Sequence, residues 1–368
     1  MKEKMKIYTG LLMIVITIST LIMINLVRTP DDFSLSERRK LKQPPTWTVH
    51  GFLDNSFTKN FEDYTLDQFP FRDTFRTLKA LSNYYFFLQK DNNGIYVKDG
   101  YAAKLNYPLK ESSVQYALSR FEYIYEHYLS DKNMNVFTSV VPDKGYFLAN
   151  KTGYPSMDYH KLFRMVEKGM DYARYIDILD CLKLEDYYKT DTHWRQEKIQ
   201  AAADKIAKEL GIWDTLSNKY EEITSDIPFD GVYYGQIALP LQSDTIKYLT
   251  NQIIEKSVVY NHETKAEKPV YDLEKLAGND PYEVFLSGAT ALLTINNPSA
   301  KADKELILFR DSFGGSIAPL FIEGYSKITV VDIRYIRSDI LDQYIEFKNQ
   351  DVLFLYSTLL LNDSFSLK

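Results

Sequence analysis

An apolar run that ends in a polar turn, ELILFRDSFGG, occupies residues 305–315. The run is continuously apolar from Leu306 to Phe309, as are strands that a parallel sheet buries on both faces. Ser312 follows within the turn, and a helical pattern then extends to about Gly324. A buried strand that leads directly into a helix is typical of an α/β fold.

Similar strands and helices alternate on both sides of this stretch. Further β-rich runs lie at residues 135–141, 175–179, 327–333 and 352–356, and helical patterns lie at 60–90, 110–130 and 195–210. Alternating strands and helices predict a doubly wound, mostly parallel sheet. Residues 215–300, approximately, break the alternation and are interpreted as an inserted segment of loops and short strands.

The N-terminal residues predict one membrane helix. Residues 7–27 contain no charged side chain, lysines precede them at positions 2, 4 and 6, and no small-residue cleavage pattern follows. A length of about 20 residues is enough to cross a hydrocarbon core, and long domains are translocated largely regardless of their charge. We therefore expect a signal anchor at residues 1–28, a proline-containing tether at 29–58, and a domain at 59–368 outside the cytoplasm.

Composition argues against several classes of partner. The formal net charge of -6 disfavours nucleic acid, whose binding requires a basic surface. Cys181 is the single cysteine, so the chain can form neither an internal disulfide nor a cysteine-based metal site. No cluster of His, Asp and Glu has metal-ligand spacing and no phosphate-binding loop occurs, so we expect no cofactor. The 29 tyrosines suit either sugar binding or an aromatic-rich core.

Ser312 is the first candidate for chemistry. It lies between an apolar strand and a helix, and ligands of open α/β sheets bind beyond the carboxyl ends of the strands. At that position its hydroxyl would be accessible, and the first amides of the helix would point at a developing oxyanion. Serine is also a good helix N-cap, which is the alternative role for this residue.

His193 and Asp191 supply what a serine nucleophile needs. They lie in TDTHW, residues 190–194, at the start of a helical pattern. A serine becomes nucleophilic when a base removes its proton, and an imidazole needs a carboxylate to orient it. The alternative is a capping aspartate beside a surface histidine. Together the two turns favour Ser312 as nucleophile, His193 as general base and Asp191 as its orienting group.

An oxyanion hole needs two or more hydrogen-bond donors. The backbone amide of Ser312 or Phe313 is one candidate, because both residues begin the helix that follows the strand. Gly288, in the inserted segment, is a candidate for the second donor. An ordinary turn glycine is the alternative interpretation of Gly288.

An ordered set of short motifs carries a resemblance to a known family. The motifs are FEDY at 61–64, DQFPFR at 67–72, VPDK at 141–144, DTHW at 191–194, DPY at 280–282, DSF at 311–313 and VDIRY at 331–335. With these motifs the chain resembles the DHHW family and the related alginate O-acetyltransferase proteins of the AlgX and AlgJ type. The resemblance covers most of the chain, although Asp-Thr-His-Trp stands here in place of Asp-His-His-Trp.

The resemblance implies an SGNH-hydrolase-like catalytic domain in which Ser312, His193 and Asp191 have the roles given above. It also implies a polysaccharide substrate and an acyl group that arrives through a membrane-bound O-acyltransferase. Lys144, Arg334 and Tyr335 are candidates for a sugar-facing rim, and a solvated residue at a strand end is the alternative for each.

Three hypotheses about function follow. The first is a membrane-anchored O-acyltransferase, or an esterase, that acts on a cell-surface or secreted polysaccharide. The second is a non-catalytic scaffold that binds polysaccharide or organises an export complex. The third is a lipid esterase, which would prefer long-chain esters to acetyl esters.

Overall fold

The computed structural model describes residues 2–301 and 303–368, so Met1 and Ala302 lie outside the described residues. The chain divides into two compact units. The smaller unit contains the chain up to Asn92 together with residues 235–240, and the larger contains residues 93–234 and 241–368. The boundaries expected from the sequence, an anchor at 1–28, a tether at 29–58 and a catalytic domain at 59–368, stay a prediction.

The helices and strands follow one another along the chain. The helices are α1 (Lys2–Val27), α2 (Val49–Leu53), α3 (Ser56–Asp67), α4 (Arg72–Leu81), α5 (Glu111–Ile124), α6 (Lys144–Thr152), α7 (Tyr159–Gly169), α8 (Gln200–Glu209), α9 (Val232–Ile237), α10 (Gln252–Lys256), α11 (Phe313–Ile317) and α12 (Thr358–Leu361). The strands are β1 (Phe33–Ser34), β2 (Arg39–Lys40), β3 (Ile95–Lys98), β4 (Tyr101–Lys104), β5 (Asn135–Val141), β6 (Arg174–Tyr175), β7 (Glu221–Phe229), β8 (Asp244–Thr250), β9 (Val258–Asn261), β10 (Ala266–Pro269), β11 (Leu292–Asn296), β12 (Glu305–Arg310), β13 (Lys327–Val331) and β14 (Asp351–Ser357).

An eight-stranded sheet forms the centre of the larger unit. Its order is β10-β9-β11-β13-β12-β14-β5-β6. The strands from β13 to β6 pair in parallel, whereas β10, β9 and β11 pair antiparallel and extend one side of the sheet. These three strands come from the segment predicted to be an insertion. The predicted α/β class with a mostly parallel sheet is therefore confirmed.

The sheet is covered on both faces, because successive side chains of a strand point to opposite sides. Leu306 and Leu308 of β12 belong to a buried cluster that includes residues of α8 and α11. Ile307 and Phe309 belong to a second buried cluster, with residues of α5 and α7. All four side chains are at most 1% exposed, which explains why the run is continuously apolar. The sheet is doubly wound, as predicted.

Two predicted strands are shorter than expected. The run predicted at 327–333 ends at Val331, and the run predicted at 175–179 differs more. The sequence predicted a strand at 175–179, but β6 ends at Tyr175 and pairs only with Phe137 and Thr138 of β5. The carboxylate of Asp177 accepts a hydrogen bond from the amide of Leu179 and starts a 3-10 turn there. The hydrogen bond from the side chain of Asp177 to the backbone therefore favours a turn in place of a continued strand.

The parallel strands place several candidate residues at one edge of the sheet. Ser312 follows β12, Arg334 follows β13, and Lys144 follows β5. Because these strands run in the same direction, their carboxyl ends share an edge.

The smaller unit begins with α1. Within the part of the chain that the structure describes, one helix is long and apolar enough to cross a membrane, over Lys4–Val27 with a mean hydropathy of 2.4. None of its apolar window is buried inside the protein. The short hairpin of β1 and β2 follows, and then α2, α3 and α4.

Candidate active site

Ser312 lies at the start of α11 with its side chain half-buried. Its hydroxyl makes no capping hydrogen bond to the helix. Asp311 supplies the cap instead, because its Oδ1 accepts from the amide of Phe313 at 3.0 Å and its Oδ2 accepts from the amide of Ser357 at 2.8 Å. Ser312 therefore occupies the N-cap position of α11 without capping the helix through its side chain, and its hydroxyl is available for other contacts.

His193 lies between Ser312 and Asp191. Its Nε2 is 2.7 Å from Oγ of Ser312, and its Nδ1 is 2.6 Å from Oδ1 of Asp191. In this arrangement the carboxylate accepts the Nδ1 proton and leaves Nε2 as the acceptor for the serine hydroxyl. Ser312, His193 and Asp191, which the sequence predicted to meet at the sheet edge, are therefore in direct contact.

Asp191 is 1% exposed and is fixed by backbone amides. Its Oδ1 also accepts from the amide of His193 at 3.0 Å, and its Oδ2 accepts from the amide of Val232 at 2.9 Å. Gly231 passes so close that a β-carbon there would lie 2.3 Å from Cβ of Asp191. These contacts satisfy the buried carboxylate and set its orientation toward the imidazole.

The ring of His193 stacks on Tyr282. The two ring centroids are 3.7 Å apart and the planes are 5° from parallel, and Phe313 lies 5.0 Å away on a tilted plane. Burial raises the pKa of the Tyr282 hydroxyl well above its ordinary value, so this group stays neutral. An aromatic face also favours a cation that forms above it, as an imidazolium would.

Ser316 connects the histidine segment to α11. Its Oγ is 2.8 Å from Nε1 of Trp194 and 2.9 Å from the hydroxyl of Tyr282, and both groups donate to it. Ser316 in turn donates to the carbonyl oxygen of Phe313 at 3.3 Å. The residues on either side of His193 and Ser312 are therefore held to each other independently of the contact between those two.

Lys144 is buried rather than placed on a sugar-facing rim. It is 2% exposed, and its Nζ donates to the carbonyl oxygens of Tyr188 at 2.8 Å and Lys189 at 3.2 Å. Burial lowers the pKa of this ammonium to about 7, against the opposing attraction of Asp191 and other carboxylates. The prediction that Lys144 lies on a sugar-facing rim was wrong, because its side chain is buried and its ammonium donates to backbone carbonyl oxygens.

Asp244 holds the same turn from another side. Its carboxylate accepts from the amides of Lys189 at 2.9 Å and Thr190 at 2.7 Å, and from the hydroxyl of Thr190 at 2.7 Å. Lys144 and Asp244 therefore bind the carbonyl and amide groups of the segment that immediately precedes Asp191.

Two of the predicted oxyanion donors already have partners. The amide of Phe313 donates to Asp311, and the amide of Gly288 donates to the carbonyl oxygen of Phe285 at 3.1 Å. Gly288 has a φ of 84°, so it is the turn glycine of the alternative interpretation. Its own carbonyl oxygen accepts from the guanidinium of Arg310 at 3.2 Å. Of the named candidates, the amide of Ser312 remains.

Arg334 and Tyr335 lie beyond β13 at the same sheet edge. Arg334 donates to both carboxylate oxygens of Asp332, at 2.9 and 2.6 Å, and its guanidinium lies 5.3 Å from the Tyr335 ring. Tyr335 is 48% exposed, so its ring is accessible to a large ligand. Asp332 is fully buried and also lies 3.8 Å from Arg310.

Several residues that shape the site gave no sequence signal. The sequence marks Tyr282 only as part of the DPY motif, and it gives no signal for Asp244, Gly231 or Ser316. Each acts through a contact between segments far apart in the chain, which periodicity and spacing do not report. Within residues 2–301 and 303–368, no group of three or more His, Cys, Asp and Glu side chains is arranged to hold a metal ion.

The fold is an α/β fold with a serine, a histidine and an aspartate in contact at the carboxyl edge of its mostly parallel sheet. A scan against protein-family models and a search of curated proteins found no match for the sequence. Solved structures do resemble it. A DHHW family protein from Eubacterium siraeum is 23% identical, with a TM-score of 0.58 over 74% of this chain and 93% of that chain.

Bacillus cereus PatB1 is similar to a comparable degree, at 16% identity and a TM-score of 0.58 over 73% of this chain and 96% of that chain. A structure of PatB1 with a sulfonyl adduct also matches. The O-acetyltransferase domain of Pseudomonas putida AlgJ is more distant, with 12% identity and a TM-score of 0.44 over 73% of this chain and 92% of that chain. The predicted resemblance to the DHHW family is confirmed at the level of the fold.

Proposed function

We propose that this chain is an extracytoplasmic, membrane-anchored O-acyltransferase or esterase that acts on a cell-surface or secreted polysaccharide, with acetyl as the expected acyl group. The observation that carries the proposal is the continuous contact from Asp191 through His193 to Ser312, at 2.6 and 2.7 Å. Such a relay converts a serine hydroxyl into a nucleophile toward esters.

The first half of the reaction acylates the enzyme. Oγ of Ser312 attacks the carbonyl carbon of the donor ester while Nε2 of His193 takes the hydroxyl proton. In this proposal the backbone amide of Ser312 donates a hydrogen bond to the oxyanion that forms. When the tetrahedral intermediate collapses, the bond to the leaving oxygen breaks and His193 returns the proton to that oxygen. The acyl group is then an ester of Ser312.

The second half transfers the acyl group. Nε2 of His193 takes a proton from an acceptor hydroxyl, whose oxygen attacks the acyl carbon, and the proton returns to Oγ of Ser312. A sugar hydroxyl as acceptor makes the chain a transferase, and water makes it an esterase. Asp191 stabilises the imidazolium in both halves, and the stacked ring of Tyr282 contributes from the other side.

Three further features support this assignment. A sulfonyl adduct, as named for PatB1, is the product that activated serine hydroxyls form with sulfonyl fluorides, so the same reagent class is expected to modify Ser312. The exposed ring of Tyr335 offers an aromatic face for a sugar at the same sheet edge. Helix α1 is long enough to anchor the chain beside a membrane-bound O-acyltransferase, which we propose as the source of the acyl group.

The experiment uses the purified full chain in detergent with a chromogenic acetyl ester. Ser312→Ala is expected to lower kcat by about 10³-fold or more, because no other group supplies the nucleophile. Ser299→Ala is the matched control, since Ser299 is exposed in the loop that joins β11 to β12 at the opposite edge of the sheet. A sulfonyl fluoride should label the peptide that contains Ser312 and leave the Ser299 peptide unmodified.

Other outcomes would identify the other hypotheses. A Ser312→Ala variant as active as the parent would remove the mechanism, and polysaccharide binding without turnover would favour the scaffold. Hydrolysis of long-chain esters in preference to acetyl esters would indicate a lipid esterase. Mass spectrometry of an oligosaccharide acceptor distinguishes transfer from hydrolysis.

A further inference from the structure

The smaller unit carries an exposed apolar surface that its own fold leaves uncovered. We call it the α4 surface and define it by six side chains that are between 46% and 79% exposed: Phe71, Phe75, Leu78, Phe86, Phe87 and Leu88. Large exposed apolar patches mark sites of contact with a membrane or another molecule.

Helix α4 exposes an apolar strip formed by Phe71, Phe75 and Leu78, and the charged residues Asp73 and Lys79 are exposed outside this strip. Arg72 and Arg76 point to the inside of the unit, where they pair with Glu37 at 2.6 and 3.4 Å. Phe75 and Leu78 point outward. A solvated helix places its charged residues outside and its apolar residues inside. The medium beside the apolar strip of α4 is therefore expected to be apolar, and the medium beside Asp73 and Lys79 is expected to be polar.

The α4 surface is tied to the end of α1. The side chain of Gln68 accepts from the amide of Asp31 at 2.9 Å and donates to its carbonyl oxygen at 2.8 Å. Asp31 follows the end of α1, Val27, by only four residues, which span at most about 14 Å. Phe71 begins the α4 surface just after Gln68. The surface therefore starts close to the point where α1 ends.

The composition of this region favours an apolar over an electrostatic contact. Residues 28–92 contain 10 Lys or Arg and 9 Asp or Glu, so the region carries almost no net charge. Phenylalanine and leucine, which make up the α4 surface, are typical of the apolar face that an interfacial helix buries at the boundary between lipid headgroups and acyl chains. A basic surface that recognises anionic lipid is therefore not what this region presents.

We propose that the α4 surface lies in the lipid–water interface of the membrane that α1 spans, so that the chain contacts the bilayer twice. This inference rests on the membrane anchoring in the proposed function. The ligand is the bilayer surface itself, bound by apolar burial, so the contact should be insensitive to salt and to the fraction of anionic lipid.

The test uses nitroxide labels on the full chain in vesicles of zwitterionic phospholipid. Each label is attached to a single cysteine in a Cys181→Ser background, at Phe86→Cys for the α4 surface, Ile16→Cys for α1 and Ser299→Cys for a water-exposed control. Collisions with oxygen report lipid, and collisions with a polar nickel complex report water. The label at position 86 should be several-fold more accessible to oxygen than to the nickel complex, and the label at 299 should be the reverse.

The label at position 16 separates the two proposals. If position 16 lies in lipid and position 86 is as accessible to the nickel complex as position 299, the interfacial contact is refuted while the anchor stands. Such a result would leave the α4 surface to a membrane protein partner. If position 16 is water-accessible, the anchoring fails as well. Acetyl-ester turnover equal to the parent in all three labelled proteins shows that they are folded.

Discussion

The imidazole of His193 connects Asp191 to Ser312. His193 is held edge-on by Asp191 and Ser312, and its face rests on Tyr282. Its backbone contributes too, because its amide bonds the same carboxylate that bonds its ring. The residue is 8% exposed, so its side chain has little freedom to rotate away from Ser312.

Changing Asp191 to asparagine should disable the base without changing the shape of the site. An amide group at this position can donate to Nδ1 and so stabilise the wrong tautomer of His193, which leaves Nε2 protonated and unable to accept from Ser312. We expect Asp191→Asn to lower kcat toward an acetyl ester by about 10³- to 10⁴-fold with little change in KM. Asp180→Asn, at an exposed side chain, is the control and should behave as the parent.

The stack on Tyr282 can be tested with two substitutions of different chemistry. Tyr282→Phe keeps the ring against His193 and loses the hydrogen bond to Ser316, so it should cost about 1 kcal/mol of stability with nearly normal kcat. Tyr282→Leu removes the ring face and should lower kcat by about 2- to 10-fold. Equal kcat values for the two variants would show that the stack has no part in the reaction.

Some residues of the site could be located from the sequence, and others could not. Ser312 and His193 stand in short turns whose neighbours already suggest chemistry. Lys144 follows a predicted strand, which correctly gives its sheet edge, but the path of the following chain decides whether it faces solvent or backbone carbonyls. The amide of Phe313 is occupied by Asp311, a pairing that depends on turn geometry rather than on residue type.

Helix α11 requires a glycine at position 314 and tolerates a larger residue at Gly315. A β-carbon at Gly314 would lie 2.4 Å from Cβ of Arg310, whereas one at Gly315 would be 3.7 Å from the nearest atom, the carbonyl oxygen of Phe285. The first distance forces the helix away from β12, and the second is an ordinary contact.

Gly314→Ala should therefore destabilise the protein and move Ser312, while Gly315→Ala should do neither. We expect an overpacking cost of about 1–3 kcal/mol for Gly314→Ala, measured by denaturant unfolding, and a larger loss of kcat than this cost alone explains. Gly315→Ala is the matched control in the same helix. Similar behaviour of the two variants would contradict the close packing of α11 on Arg310.

Elements were predicted best where the signal is local. Strands β5 and β12 were predicted nearly to the residue because β5 is a β-rich run and β12 a continuously apolar run, and each is followed by a polar turn. Residues 215–300 were recognised only as a break in the pattern. Strands β9, β10 and β11 there are short. Only β11 pairs with β13, while β9 pairs with β11 and β10 with β9, so their place in the sheet could not be inferred from neighbouring residues.

The burial of Lys144 affects the stability of the whole molecule, because it makes the free energy of unfolding depend on pH. Burial holds the pKa of its ammonium at about 7 in the folded state, below the ordinary value of 10.5. Between pH 7 and 10.5 the unfolded chain therefore binds more protons at this residue than the folded chain does. The free energy of unfolding should rise with pH across this window, by at most about 1.4 kcal/mol for each pH unit.

Lys144→Met isolates this contribution. The difference in unfolding free energy between the parent and the variant should shift in favour of the parent from pH 7 to pH 10, and should be constant below about pH 6, where the ammonium is charged in both states. Lys168→Met, at an exposed position of α7, should give a difference that does not change with pH. A flat difference for Lys144→Met would show that its burial leaves the ammonium unperturbed.

The hydroxyl of Ser316 has a further consequence for experiments on this protein. The hydroxyl donates its one proton to the carbonyl oxygen of Phe313. Its oxygen accepts two hydrogen bonds, from the indole of Trp194 and from the hydroxyl of Tyr282. It is also wholly enclosed. Ser316 lies one helical turn from Ser312, but it has no free lone pair and no access to a substrate, so it cannot replace Ser312 as the nucleophile. Any turnover that remains in a Ser312→Ala variant must therefore come from another group.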